Sequence, residues 1–150
     1  MMQSRRIDPL LRRAQEHEDS VARDLAERQQ TLTLQESRLE ELRQYAEEYA
    51  NSQMAATSPA QLANRRAFLD RIDQALKQQL QTVDRSRANV DIERDRLLLA
   101  SRDKQVLEQL AASYRVQEKQ IVDRRDQREM DDLGARRARL AATATQEGDA

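Results

Sequence analysis

The sequence contains no cysteine and no tryptophan, only two glycines and two prolines, and a single histidine in 150 residues. Without cysteine there is neither a disulfide frame nor a thiolate zinc site. Without glycine-rich stretches there is no phosphate-cradling loop and no nucleophile elbow. The one histidine, His17, is flanked by Glu16, Glu18 and Asp19. It reads as a solvated helix-surface residue, because a general base needs a cleft and a positioned partner. No catalytic residue, cofactor site or metal site is therefore expected. No apolar run approaches the roughly 18 residues of a membrane span, so no direct membrane insertion is expected. The opening Met-Met-Gln-Ser-Arg-Arg lacks the apolar core of a secretory signal, which makes the cytoplasm the expected location. Charge of one sign is also missing: 26 Lys and Arg stand against 27 Asp and Glu. That balance gives nucleic-acid binding no global electrostatic support.

What is present is charge and helix formers. Charged residues are 35% of the chain and hydrophobic ones 38%, with a mean hydropathy of −0.97. This is the profile of long helices and coiled coils, with too little apolar mass for a multilayer globular core. The expected fold class is all-α: two long helices forming one antiparallel coiled-coil hairpin with unequal arms.

The stretch Asn51–Pro59 is the clear break in the pattern. Ser58-Pro59-Ala60-Gln61 then restarts a helix. Ser58 stands where an N-cap hydroxyl would accept from first-turn amides, Gln61 completes a capping box, and Pro59 has φ preset for the first helical position. Asp8-Pro9 repeats that logic near the start of the chain. The expected bounds are a first helix at about 8–53, a turn at about 54–58, a second helix at about 59–141, and a disordered tail over 143–150.

Along the first segment Ile7, Leu11, Ala14, Val21, Leu25, Leu32, Leu39, Leu42, Ala46 and Tyr49 alternate by threes and fours. This is a heptad seam, interrupted at Glu18, Arg28, Gln35 and Gln53, polar positions that fix register at some cost in stability. The second segment runs Leu62, Leu69, Ile72, Leu76, Leu80, Val83, Val90, Leu97, Ala100, Leu107, Ala111, Tyr114 and Ile121. It then thins to Met130 and Leu133, with Gly134 expected to end or fray it. Folding back about Ala56 sets Ile7 near residues 104–107 and leaves the chain beyond about Leu110 without a partner helix. The same register sets Arg28 against Val83–Ser86 with Asp84 as counter-charge, Glu18 near Arg94 or Arg96, and Leu25 near Val90.

Several surface features compete for a role. The carboxylate pairs Glu40-Glu41, Glu47-Glu48 and Asp131-Asp132 read as hydrated faces making i,i+4 contacts. The arginine doublets at residues 5–6, 12–13, 65–66, 124–125 and 136–137 read as a solvated helix, or the first two and last two, expected at the open end of the hairpin, as a local positive end for an acidic or membrane-bound partner. Three of the four aromatics, Tyr45, Tyr49 and Phe68, flank the turn. They either seal the seam's edge or anchor a docking patch, since aromatics are entropically cheap contact groups. A second line, Ile92, Leu99 and Val106, repeats every seven residues off the seam and points to a further partner or to self-association.

The segment Gln35-Glu-Ser-Arg-Leu-Glu-Glu-Leu-Arg-Gln-Tyr-Ala-Glu-Glu-Tyr49 resembles the end of the first helix in the FliJ family of flagellar type III export proteins. Arg66-Ala-Phe-Leu-Asp-Arg-Ile-Asp-Gln-Ala-Leu76 is similar to that family's second-helix opening, and Asp126-Gln-Arg-Glu-Met-Asp-Asp-Leu-Gly-Ala-Arg-Arg137 to its terminal signature. The similarity covers nearly the whole chain. It implies a non-catalytic stalk in the hexameric export ATPase (FliI) that also contacts the export-gate protein FlhA and export chaperones, recruited to the cytoplasmic face of the inner membrane. The matching gate-facing positions are Leu42, Tyr45, Tyr49, Phe68, Ile72 and Ala75, while Arg38 and Gln79 depart from the family pattern. On the unpartnered extension, Ile121, Asp126, Gln127, Met130 and Leu133 are expected to meet the ATPase ring. Two other readings stay open: a stalk of a virulence-type type III secretion system, and a generic self-associating coiled-coil scaffold or holdase.

Overall fold

The computed structural model describes residues 3–52 and 58–148. They form two helices, α1 (Gln3–Asn51) and α2 (Pro59–Gly148), of 49 and 90 residues. No strand occurs among the described residues. The fold class is the all-α antiparallel pairing that the heptads predict. The chain divides into two compact units, one comprising residues 14–103 and the other residues 1–13 with 104–150.

In the unit of residues 14–103, the partner on α2 falls in number as the position on α1 rises. Asp24 meets Arg96 at 3.9 Å, whereas Gln35 meets Gln79 at 2.9 Å. Val21, Leu39, Ile72, Val83, Val90 and Ala100 are buried, and Val83 is wholly so. These positions recur by threes and fours on both helices, which lets one stripe of each bury against the other. The first-helix seam is as read from the sequence, except that Arg28 is exposed.

On α2 the seam passes through polar residues that the apolar count skipped. Leu62 and Leu80 are exposed, and Gln79 takes the seam position expected for Leu80. Its Nε2 donates to both the backbone carbonyl and Oε1 of Gln35, each at 2.9 Å. Ser86 and Glu93 are buried in the same stripe. The Glu93 carboxylate accepts two bonds from Arg96 Nη1 at 3.0 and 2.9 Å, which offset the cost of removing its charge from water.

The fold-back register holds to within a residue at Gln35, which meets Gln79, but farther from the turn, where Asp24 meets Arg96, it is off by about a heptad. Arg28 shares a surface depression with Asp24, Glu27, Thr31, Glu93 and Arg96, not with Val83–Ser86. Asp84 pairs instead with Arg87 at 3.9 Å, and Asp24 reaches Arg96. At the restart of α2, residues 59–64 are all exposed, and burial begins only at Arg65. Ala56, the assumed midpoint, falls outside the described residues, as do Gln53 and positions 54–57 of the expected turn.

In the unit of residues 1–13 and 104–150, Ile7 and Ala111 are buried and Leu11, Leu107 and Tyr114 half-buried. α1 begins at Gln3, so Asp8 is not its N-cap and Pro9 lies inside the helix. An interior proline forfeits one helical hydrogen bond and crowds the carbonyl four residues back. Contacts with α2 offset that cost. The Ser4 amide donates to Glu118 Oε1 at 3.0 Å and its hydroxyl to Oε2 at 2.6 Å, and Asp8 pairs with Arg115 at 3.5 Å. A carboxylate at a helix N-terminus also meets the positive end of the helix dipole.

Partner coverage on α2 thus extends to Glu118 rather than stopping near Leu110. The expected tail is helix as far as Gly148, and Gly134 does not end it. A Cβ on Gly134 would meet nothing within 4 Å, so it is an ordinary exposed helical residue. Its propensity cost of about 1 kcal/mol is set against the Ala, Arg and Leu that follow, which are among the best helix formers. The Thr143 and Thr145 hydroxyls donate back to the Arg139 and Ala141 carbonyls at 2.9 and 2.7 Å.

Candidate docking surfaces

At the end of α1 the last turn closes with the Ser52 amide on the Glu48 carbonyl at 2.9 Å and the Ser52 hydroxyl on that of Tyr49 at 2.7 Å. The restart of α2 carries the expected cap: the Gln61 amide donates to Ser58 Oγ at 3.2 Å, and the Leu62 amide to the Ser58 carbonyl at 3.2 Å. Fixing both termini fixes where the three aromatics stand. Phe68 lies 4.4 Å from Tyr49, ring centroid to centroid, tilted by 51°, and 6.3 Å from Tyr45 edge-on at 70°. Both arrangements avoid face-to-face stacking, as the charge distribution of aromatic rings favours.

The cluster is neither sealed nor bare. Tyr45 is 51% exposed, while Tyr49 and Phe68 are half-buried. Of the other gate-facing positions, Ile72 is buried in the seam, and Leu42 and Ala75 are half-buried. Phe68 touches Tyr49 more closely than Tyr45, the residue expected to mirror it. Arg65, which sequence reasoning passed over as half of a charged doublet, is half-buried beside the rings' helix ends and reaches the Ser52 carbonyl at 3.5 Å.

In the other unit, every described residue of α2 from 119 onward is exposed. Ile121, Met130 and Leu133 are 64%, 70% and 56% exposed. Asp126 is exposed as well, and Gln127 donates to Asp131 at 3.3 Å along the helix. Tyr114, expected on this bare face, is half-buried in the seam instead. Ile121 borders a depression of about 230 Å³ with Gln3, Tyr114, Gln117 and Glu118. The strongest polar contact of this unit, Ser4 with Glu118, was not legible from the apolar spacing. Its hydrogen bonds, the side-chain one first and then the backbone one, hold the Glu118 carboxyl below its ordinary range.

The off-seam residues Ile92 and Leu99 are exposed in the first unit, and Val106 in the second. His17 is exposed. Among the described residues no cluster of three or more His, Asp or Glu side chains is arranged to hold a metal ion, and no helix is long and apolar enough to cross a membrane.

No curated protein and no solved structure matches the chain. The family model of the flagellar FliJ protein does, over residues 2–143. That span takes in both helices, the aromatic cluster and nearly all of the bare stretch of α2. The chain belongs to the FliJ family, whose members are components of the flagellar export apparatus.

Proposed function

We propose that this chain acts as the stalk of the export ATPase ring, couples that ring to the export gate through its aromatic cluster, and escorts export chaperones. The single observation that carries the gate contact is the packing of Tyr45, Tyr49 and Phe68 into one partly exposed group. Three rings that hold one another lose little freedom on binding, and such preorganised aromatics dominate interface energies. The ring contact rests on α2 beyond Glu118, where Ile121, Asp126, Gln127, Met130 and Leu133 stand with no partner helix. Mixed charge there, with Arg125 and Glu129 3.6 Å apart, suits a contact that forms and releases. In this reading the protein works at the cytoplasmic face of the inner membrane and performs no chemistry itself.

The test uses purified chain, cognate gate cytoplasmic domain and cognate ATPase. Phe68→Ala is expected to weaken gate binding by on the order of thirtyfold or more while leaving ATPase binding intact. Equal gate affinity for parent and variant would return the cluster to a sealing role.

A further inference from the structure

The bare part of α2 changes character at Leu133. Residues 119–132 interleave Arg124, Arg125 and Arg128 with Asp123, Asp126, Glu129, Asp131 and Asp132. From Leu133 to Gln146 there is no acidic residue, and the only charges are Arg136, Arg137 and Arg139. All three are exposed, and none has an acidic partner among the described residues, whereas Arg125 has Glu129. Because this segment is helical, residues three, four and seven apart share a face. Leu133, Arg136, Arg137 and Leu140 therefore lie together, with Ala141 and Ala144 continuing the stripe. Leu140 is 70% exposed.

We propose that residues 133–146 of α2 lie on an anionic lipid surface, with Leu140 entering the headgroup boundary and Arg136 and Arg137, which share its face, paired to lipid phosphates. Short basic amphipathic helices bind this way, in the plane of the interface. A groove on a protein is the poorer fit. Helix-in-groove partners present large anchors at successive turns, and here the positions between Leu133 and Leu140 are arginines. An interface tolerates that pattern, because arginine stems can lie along the apolar boundary while their heads stay in the phosphate layer. Ala135, Ala138, Arg139, Ala142 and Thr145 form the opposite, water-facing side, where the Arg139 guanidinium stays in solvent. The contact is peripheral and spans nothing. It does not depend on the assignment of the ATPase ring to residues 121–133.

Flotation of the full-length protein with phosphatidylcholine vesicles, with and without phosphatidylglycerol, tests the proposal. The protein is expected to float only with the anionic vesicles and to be released by high salt. Replacing Arg136 and Arg137 together by alanine should reduce partitioning on the order of thirtyfold, at about a tenfold loss per 1.4 kcal/mol and about 1 kcal/mol per arginine. Leu140→Trp supplies a fluorophore in a protein that has no tryptophan. Its emission should shift to the blue on anionic vesicles. No flotation with anionic vesicles, equal flotation of parent and double variant, or an unshifted Leu140→Trp spectrum each overturns the assignment. Any of these would leave the basic face to an acidic protein partner.

Discussion

Two regions of this molecule leave apolar surface uncovered, and they do so differently. At the Asn51 and Pro59 ends of the helices, three rings pack on one another within 6.3 Å and are only partly exposed. On α2 beyond Glu118 the described aliphatic side chains are exposed and stand apart among charges, Ile121 alone bordering a depression that α1 reaches with Gln3. The first region is ordered before any partner arrives, so binding there costs little side-chain entropy. The second gains no stability from its own apolar residues, and any energy they contribute must come from a surface that covers them. In the proposed function the first region is recognised as a shape and the second is enclosed.

The largest effect should come from removing the second region. Deleting residues from Arg124 onward is expected to abolish binding to the export ATPase while the unfolding midpoint of the remainder stays where it was. Exposed residues bury nothing on folding, so their loss removes no hydrophobic stabilisation. Pull-down with the ATPase alongside thermal melts gives both readouts. Full ATPase binding by the truncated chain would falsify the ring assignment.

The same pair of measurements at Phe68 should give the reverse balance of stability. Truncating a fully buried phenylalanine costs about 3–5 kcal/mol. Phe68 is half-buried, so Phe68→Ala should cost about 1–2 kcal/mol of stability. If the melt instead falls by the full amount with gate affinity unaltered, the rings are core rather than contact, and the contrast between the two regions collapses.

How far these regions were legible in the sequence follows from what sets each of them. The first-helix seam was readable because ten apolar residues there keep strict heptad spacing, and the aromatic group because its members flank the one break in the pattern. The α2 seam was misread at Leu80 because apolar counting cannot tell that Gln79, with a carbonyl and an amide of Gln35 in reach, is the better seam residue. The fold-back register holds at Gln35 and Gln79 and slips only farther from the turn, at Asp24 and Arg96. The bare helix was half legible: its beginning was placed too early because Glu118 looks like surface until Ser4 lies opposite. Its end is expected at about residue 141, with fraying at Gly134, yet the helix runs to Gly148, because a glycine stops a helix only where the backbone turns and Gly134 does not have a positive φ.

A smaller effect bears on the aromatic region alone. Ser58 accepts from the Gln61 amide at 3.2 Å, and Ser58→Ala should lose about 1 kcal/mol. Because the cap fixes where α2 starts, the loss should be concentrated in the first turns. Hydrogen exchange should quicken at the amides of Gln61 and Leu62 and stay unchanged near Val83. Uniform exchange across α2 in parent and variant would mean that Phe68 is positioned by the seam, not by the cap.

The smallest effect concerns where the bare segment begins. Among the described residues, Glu118 is the last residue of α2 hydrogen-bonded to α1, and the Ser4 hydroxyl and amide stabilise its charged form, which lowers its pKa. The sign follows from that direction. A carboxyl whose folded pKa lies below its unfolded value contributes stability above the unfolded value, about 4.3 for glutamate. That contribution is lost as pH falls through the lower, folded value. Near neutral pH the contact is therefore complete, and it should open only in acid, extending the uncovered stretch of α2 toward Ala111. Glu118→Gln keeps the shape, removes the charge and should abolish this pH dependence. Amide exchange at Ser4, followed from neutral pH into the acid range in both proteins and corrected for intrinsic rates, reads it directly. If the variant shows the same acid-dependent loss of protection as the parent, some other group fastens the start of α1. The boundary between covered and bare helix is then not set by Glu118.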